Sequence, residues 1–285
     1  MGSEERARRA RTMAVVCTAL GMAAMIVAPR ARSEPPRTSA SPTASASARA
    51  TPASSAVGES TTPSGGVAPP ETAGWIEAGD AHAFAYPSRR AEASSLPPVT
   101  TVMLHGLCGH PESACAPFVD ASTERGWLVC PRGEDACGGG SRWRLRPDED
   151  GKLVEASLGA LTREHPDTAH PSAPRVLVGF SLGGIAAVRI AQAEAEGHGR
   201  YTGLVVIASQ VHPDGALLEK AGVKRVVLAA GDMDMTSAPL QEDARALNRL
   251  GLPTRFVSLG HFGHGYPPDM AELMRAQIRW VAGEN

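Results

Sequence analysis

The residues with the most chemistry in their types and spacing are one serine, two histidines and two aspartates. Ser181 stands in Gly179-Phe180-Ser181-Leu182-Gly183, after the apolar run Arg175 to Phe180 and before a small-residue stretch from Ile185 to Glu196. That order reads as strand, sharp turn, helix. Such a turn strains the serine backbone and exposes its oxygen above the carboxyl end of a strand. The next amide, that of Leu182, opens the helix and aims its N–H at the same space.

A serine hydroxyl is a poor nucleophile until a base takes its proton. The base is expected on a loop after a later strand, where the chain reads Gly260-His261-Phe262-Gly263-His264-Gly265-Tyr266. His264 is favoured because flanking glycines let the loop turn and present the ring; His261 is the alternative. The histidine needs an acid to hold its tautomer. After the run Val226 to Ala230 comes Gly231-Asp232-Met233-Asp234-Met235-Thr236. Asp234 has one turn of reach beyond the strand end and is favoured. Asp232 suits the turn itself, and Asp214, beside Pro213 and Gly215, reads as a turn former. The chain order is then Ser181, Asp234, His264, an order that belongs to one of the several folds using such a triad.

The tetrahedral oxyanion of acyl transfer needs two donors. The Leu182 amide is one. The second is expected in His105-Gly106-Leu107-Cys108-Gly109, after the strand Val99 to Leu104, with the Leu107 amide the best placed. His105 precedes the serine at a strand end and is expected to shape this loop. The chemistry needs no cofactor and no metal; the histidines lack zinc-ligand spacing, and no Cys-x-x-Cys occurs.

These groups must be positioned by a scaffold, and the rest of the sequence describes one. Strands are predicted at His82 to Tyr86, Val99 to Leu104, Trp127 to Cys130, Arg175 to Phe180, Gly203 to Ala208, Arg225 to Ala230 and Thr254 to Leu259. Helices are predicted at Pro117 to Arg125, Lys152 to Glu164, after Ser181, Pro239 to Leu250 and Pro268 to Ala282. This alternation means an α/β fold: a mostly parallel sheet with helices on both faces and chemistry at the strand carboxyl ends. No long insertion separates Ala208 from Arg225, so there is no room for a large cap domain. Gly138 to Trp143 is expected at the rim. Trp143 either stacks on a substrate ring or packs half-buried, while His165 and His170 are expected in solvent.

Met103-Leu104-His105-Gly106, Gly179 to Gly183, Gly231 to Asp234 and Gly263-His264-Gly265 together resemble the successive motifs of the α/β-hydrolase superfamily. The resemblance runs from about Val99 to the C-terminus. It is strongest to compact, lidless serine esterases of the carboxylesterase/phospholipase, dienelactone-hydrolase and secreted polyester-depolymerase or feruloyl-esterase kinds. It implies hydrolysis of a small-molecule or polymeric ester through an acyl-enzyme. An acyltransferase or peptidase on the same residues, or a non-catalytic surface binding module, are the alternatives. Trp75 to Pro98 matches no part of the pattern.

The remaining sequence bears on location. Four arginines among the first twelve residues precede an almost unbroken apolar or small run from Met13 to Ala28. Residues 1–31 therefore read as a signal peptide, or as an N-terminal anchor providing the one route to membrane or envelope attachment. Residues 32–73, rich in Ser, Thr, Ala and Pro, read as a disordered linker, and 74–285 as the hydrolase domain. Export is the expectation. Cys108, Cys115, Cys130 and Cys137 then suggest two disulfides, with Cys108–Cys115 and Cys130–Cys137 the simplest pairing and the other connectivities open. Net charge is −2 with both signs interspersed, so no nucleic-acid partner is expected.

Overall fold

The computed structural model describes residues 72–90, 96–197 and 199–284. The expected signal segment, and all but the last two residues of the expected linker, lie outside the described residues.

Eight strands make one sheet. They are β1 (Gly74–Ala78), β2 (Ala81–Tyr86), β3 (Thr100–Leu104), β4 (Leu128–Pro131), β7 (Arg175–Phe180), β8 (Tyr201–Ile207), β9 (Arg225–Ala230) and β10 (Thr254–Ser258), in the spatial order β1-β2-β4-β3-β7-β8-β9-β10. β2 runs antiparallel to both of its neighbours, and every pair from β4 to β10 is parallel. Parallel strands are covered on both faces and read as continuous apolar runs. β3, for instance, is buried along its whole length.

Alternate side chains feed two cores. One face carries Val102, Leu104, Leu177, Leu204 and Leu228. It packs against α3 (Pro147–Glu164), α4 (Leu182–Ala193), α5 (Gly215–Lys220) and α6 (Ser237–Arg249). The other carries Met103, Val178, Val205, Ile207 and Val227. It packs against α1 (Pro111–Cys115), α2 (Val119–Thr123) and α7 (Met270–Val281). The result is a mostly parallel sheet between two helical layers. Only α5 and short loops join β8 to β9, and no large cap stands over the sheet among the described residues.

Several boundaries differ from expectation for local reasons. The helix expected over Pro117 to Arg125 is shortened to α2, after a 3-10 turn at Ala116–Phe118 that contains Pro117, and α1 before that turn was not expected. β1 was not expected. It pairs with β2 and lays Trp75 edge-on to Phe84, with ring centroids 5.5 Å apart. A small separate hairpin, β5 (Asp135–Cys137) with β6 (Gly140–Arg142), also went unrecognised because each strand has only three residues.

The disulfides join Cys108 to Cys137 and Cys115 to Cys130, which corrects the near-neighbour pairing. Closeness along the chain is overridden by the fold. The β5–β6 hairpin lies against the loop after β3, through a bridge from Gly109 to Ser141, and so brings Cys137 beside Cys108. α1 packs over β4 and places Cys115, fully buried, above the equally buried Cys130.

Candidate active site

Ser181 ends β7 and precedes α4 with φ 53° and ψ −118°, a left-handed conformation that only a closely packed turn sustains. Two glycines permit that packing. A Cβ on Gly179 would lie 2.3 Å from the Gly183 carbonyl oxygen, and one on Gly183 would lie 2.1 Å from the Leu104 oxygen. Hydrogen bonds fix the turn: the Ser181 N–H donates to the Ile207 carbonyl at 2.9 Å, and the Ser209 hydroxyl donates to the Ser181 carbonyl at 2.8 Å.

The loops after β9 and β10 reach the same point. Their backbones are tied together, with Asp232 N–H donating to Gly260 O at 2.9 Å and Met233 N–H to Phe262 O at 3.1 Å. His264 Nε2 then lies 2.9 Å from Ser181 Oγ, and Nδ1 lies 2.7 Å from Asp234 Oδ2. With Nδ1–H donating to the carboxylate, Nε2 is free to accept the serine proton. The second carboxylate oxygen of Asp234 accepts from the Thr236 N–H and hydroxyl, each at 2.9 Å. Burial alone would raise the Asp234 carboxyl. The Thr236 amide, the His264 ring and the Thr236 hydroxyl outweigh it and hold the carboxyl below its ordinary value. Asp234 therefore stays ionised although its side chain is only 1% exposed.

The competing aspartates are engaged elsewhere. Asp232 accepts from the Ser258 hydroxyl at 2.6 Å, at the end of β10. Asp214 caps α5, accepting from the amides of Ala216 and Leu217. His261 is exposed on the loop. His165 does not stand in solvent: its ring lies 4.6 Å from that of Trp127.

Leu107 and Leu182 both line the cleft beside Ser181, a space of about 550 Å³. The loop carrying Leu107 is braced from below by fully buried His105. Its Nδ1–H donates to Gly106 O at 2.7 Å, and its Nε2 accepts from the Ser141 hydroxyl at 2.9 Å and the Gly133 N–H at 3.2 Å. Burial drives this imidazole below its ordinary value, against the pull of the Gly106 carbonyl, so the ring stays neutral. Trp143 is 2% exposed and donates from Nε1 to His105 O at 2.8 Å. It packs under the loop and offers no face for stacking on a substrate.

Sequence reasoning passed over Thr236 and Ser209, whose roles depend on contacts between separate strand ends. It also passed over Phe180, whose ring lies 5.2 Å from that of His264, and Tyr266, whose ring lies 4.6 Å from that of Phe180. Phe180 was visible as the residue inside the glycine-serine motif; nothing local marks the others.

No family model matches the sequence, and no curated protein does. Solved structures do match. Esterase PE8 has a TM-score of 0.50 at 20% identity, with 69% of this chain and 97% of that one covered. The S-formylglutathione hydrolase FrmB from Staphylococcus aureus has a TM-score of 0.51 at 13% identity, with 74% and 98% covered. A carboxylesterase from Mesorhizobium loti has a TM-score of 0.53 at 18% identity, with 75% and 100% covered. At such identities the likeness is one of architecture, and it agrees with the strand order and the two helical layers: the chain has the α/β-hydrolase fold, with no large cap among the described residues.

Proposed function

We propose that this protein is an exported serine hydrolase that cleaves carboxylic esters. One observation carries the reading: Ser181 Oγ, His264 and Asp234 form a continuous hydrogen-bonded chain of 2.9 and 2.7 Å above the carboxyl ends of the sheet. Ser181 Oγ attacks the ester carbonyl carbon as His264 Nε2 takes its proton. Asp234 stabilises the imidazolium that forms. The amides of Leu182 and Leu107 receive the oxyanion. The C–O bond to the alcohol breaks as His264 returns the proton to the leaving oxygen. Water, deprotonated by the same histidine, attacks the acyl-enzyme and releases the acid and free Ser181. The names of the structural neighbours, an esterase, a carboxylesterase and an S-formylglutathione hydrolase, support the reaction class.

Export rests on the N-terminal basic and apolar residues and is supported by the two disulfides. Among the described residues no helix is long and apolar enough to cross a membrane.

A fluorophosphonate probe tests the reading. It is expected to label the wild-type protein and not Ser181→Ala, and p-nitrophenyl acetate hydrolysis should vanish with the label. Absence of label on the wild type, or equal label on both, would end the serine-hydrolase assignment.

A further inference from the structure

We propose that the side chains of Leu107, Met233 and Met235 form an adaptable apolar collar that selects substrates by the length of an uncharged aliphatic acyl chain. The proposal rests on the serine-esterase reading and adds a substrate class to it.

Among the described residues seven large apolar side chains are exposed, and three of them converge on this one cleft: Leu107 at 60%, Met233 at 57% and Met235 at 77%. Scattered apolar residues need no explanation, whereas a cluster around one cavity marks a binding surface. The two methionines flank Asp234 in sequence, so the loop that brings the carboxylate to His264 also sets both thioethers at the cleft. Gln210 Nε2 lies 3.2 Å from the Met235 sulfur, which orients that side chain. Methionine is unbranched and polarizable, and it repacks around apolar ligands of different length.

The charge pattern decides what the cleft excludes. Among the described residues its only titratable lining groups are Asp234 and His264, already paired with each other. A carboxylate or ammonium on the acyl chain would lose water and meet no counter-ion. The choice of the acyl side follows from the oxyanion donors. Leu107 lines this cleft and its neighbour, whereas Leu182 lines this one and not the neighbour, which puts the substituent on the carbonyl carbon beside the methionines. The neighbouring cleft, of about 450 Å³, shares Leu107, Ser181 and His264 with this one but lacks Leu182 and both methionines, and is left for the alcohol that takes the proton from His264.

The test measures kcat/KM for p-nitrophenyl acetate and p-nitrophenyl octanoate, and for ethyl and octyl acetate. The wild type is expected to favour octanoate over acetate by about tenfold or more, as added methylenes are buried. In Met233→Ser/Met235→Ser the octanoate-to-acetate ratio should fall about tenfold. In Met233→Leu/Met235→Leu it should stay within about threefold of wild type, since volume and apolarity are kept. The collar is refuted by a wild-type preference for acetate, by an unchanged ratio in the serine variant, by an equal fall in the leucine variant, or by an effect confined to the alcohol series. Fluorophosphonate labelling of Ser181 is read on the same samples. Its presence with any of those results overturns the collar alone, and its absence overturns the reading beneath it.

Discussion

Cys108 is bridged to Cys137, and the bridge fastens the loop after β3 to the β5–β6 hairpin one residue from the Leu107 amide. Both cysteines are partly exposed, whereas Cys115 and Cys130 are fully buried. Mild reductant therefore reaches the first bridge and spares the second. The Cys108–Cys137 bridge closes 29 residues, which corresponds to about 3 to 4 kcal/mol of chain-entropy stabilisation. Losing one oxyanion donor costs about 100-fold to 1,000-fold in kcat. Cys108→Ser/Cys137→Ser is expected to lose about tenfold or more of kcat, because the amide is loosened rather than removed. Steady-state kinetics beside thermal melting check this: a variant with lower Tm and unaltered kcat would show that the bridge serves stability alone.

Asp234 is expected to act through its charge and not its shape. Asp234→Asn keeps the size but favours the wrong imidazole tautomer, and kcat should drop by about 10⁴-fold. The carboxyl is held below its ordinary value in the folded protein. Its stabilising contribution is therefore present above the ordinary carboxylate range, near pH 4, and is lost as pH falls through the depressed folded value. Thr236→Val removes one of the donors that hold it there, leaving the amide. Melting curves from pH 2 to 6 should show that variant losing stability at higher pH than wild type, with about 1 kcal/mol lost at neutral pH. An unaltered acid limb would mean that the hydroxyl does not bear on this carboxyl.

The opposite sign applies at Asp150, on the first turn of α3. Its carboxyl is fully buried beside Glu134, and both carboxyl groups keep oxygens cut off from water. Burial, then neighbouring Glu134, pushes the Asp150 carboxyl up to about 8; Glu149 adds to the rise and the Arg144 backbone opposes it. A proton kept on Asp150 supplies the donor that Glu134 lacks. The unfolded chain releases that proton near pH 4 and the folded chain near pH 8, so stability falls as pH rises across that window. Asp150→Asn carries its donors permanently. It should raise Tm at pH 8 and leave it nearly unchanged at pH 4, as scanning calorimetry at the two pH values will show. Equal shifts at both would remove the proton from the account.

The legible and illegible parts of this chain divide by the range of the interactions involved. The strands β3, β7, β8 and β9 are short β-branched apolar runs, and each marks a strand because burial on both faces demands that composition. The loops holding Ser181 and Asp234 follow β7 and β9 directly, and His264 follows the less buried β10, so their common position at the carboxyl ends of the strands could be reasoned out, and the structure brings those three side chains together. The cysteine pairing could not, since it depends on a three-residue hairpin with almost no periodic signal. Trp143 looked equally suited to a rim and to a core; its indole N–H finding the His105 carbonyl decided it. The methionines beside Asp234 carry no pattern, and their exposure follows only from the path of the loop.

The turn at Ser181 offers the sharpest test of local packing. Gly183 sits where α4 crosses the end of β3, and an added Cβ would come within 2.1 Å of Leu104 O and 2.5 Å of His105 O. Both contacts are backbone, so no side-chain rotation relieves them. The helix must move away, and with it the Leu182 amide and the strained serine. Gly183→Ala is expected to lower stability by about 3 kcal/mol and kcat by more than that instability explains. Gly151, half-buried on α3, provides the contrast. A Cβ there meets nothing within 4 Å, and Gly151→Ala should stabilise by about 0.5 to 1 kcal/mol through helix propensity. Urea melts and steady-state kinetics on the two variants check both signs. If Gly183→Ala were as benign as Gly151→Ala, the close approach of α4 to the β3 end would not be what seats the serine.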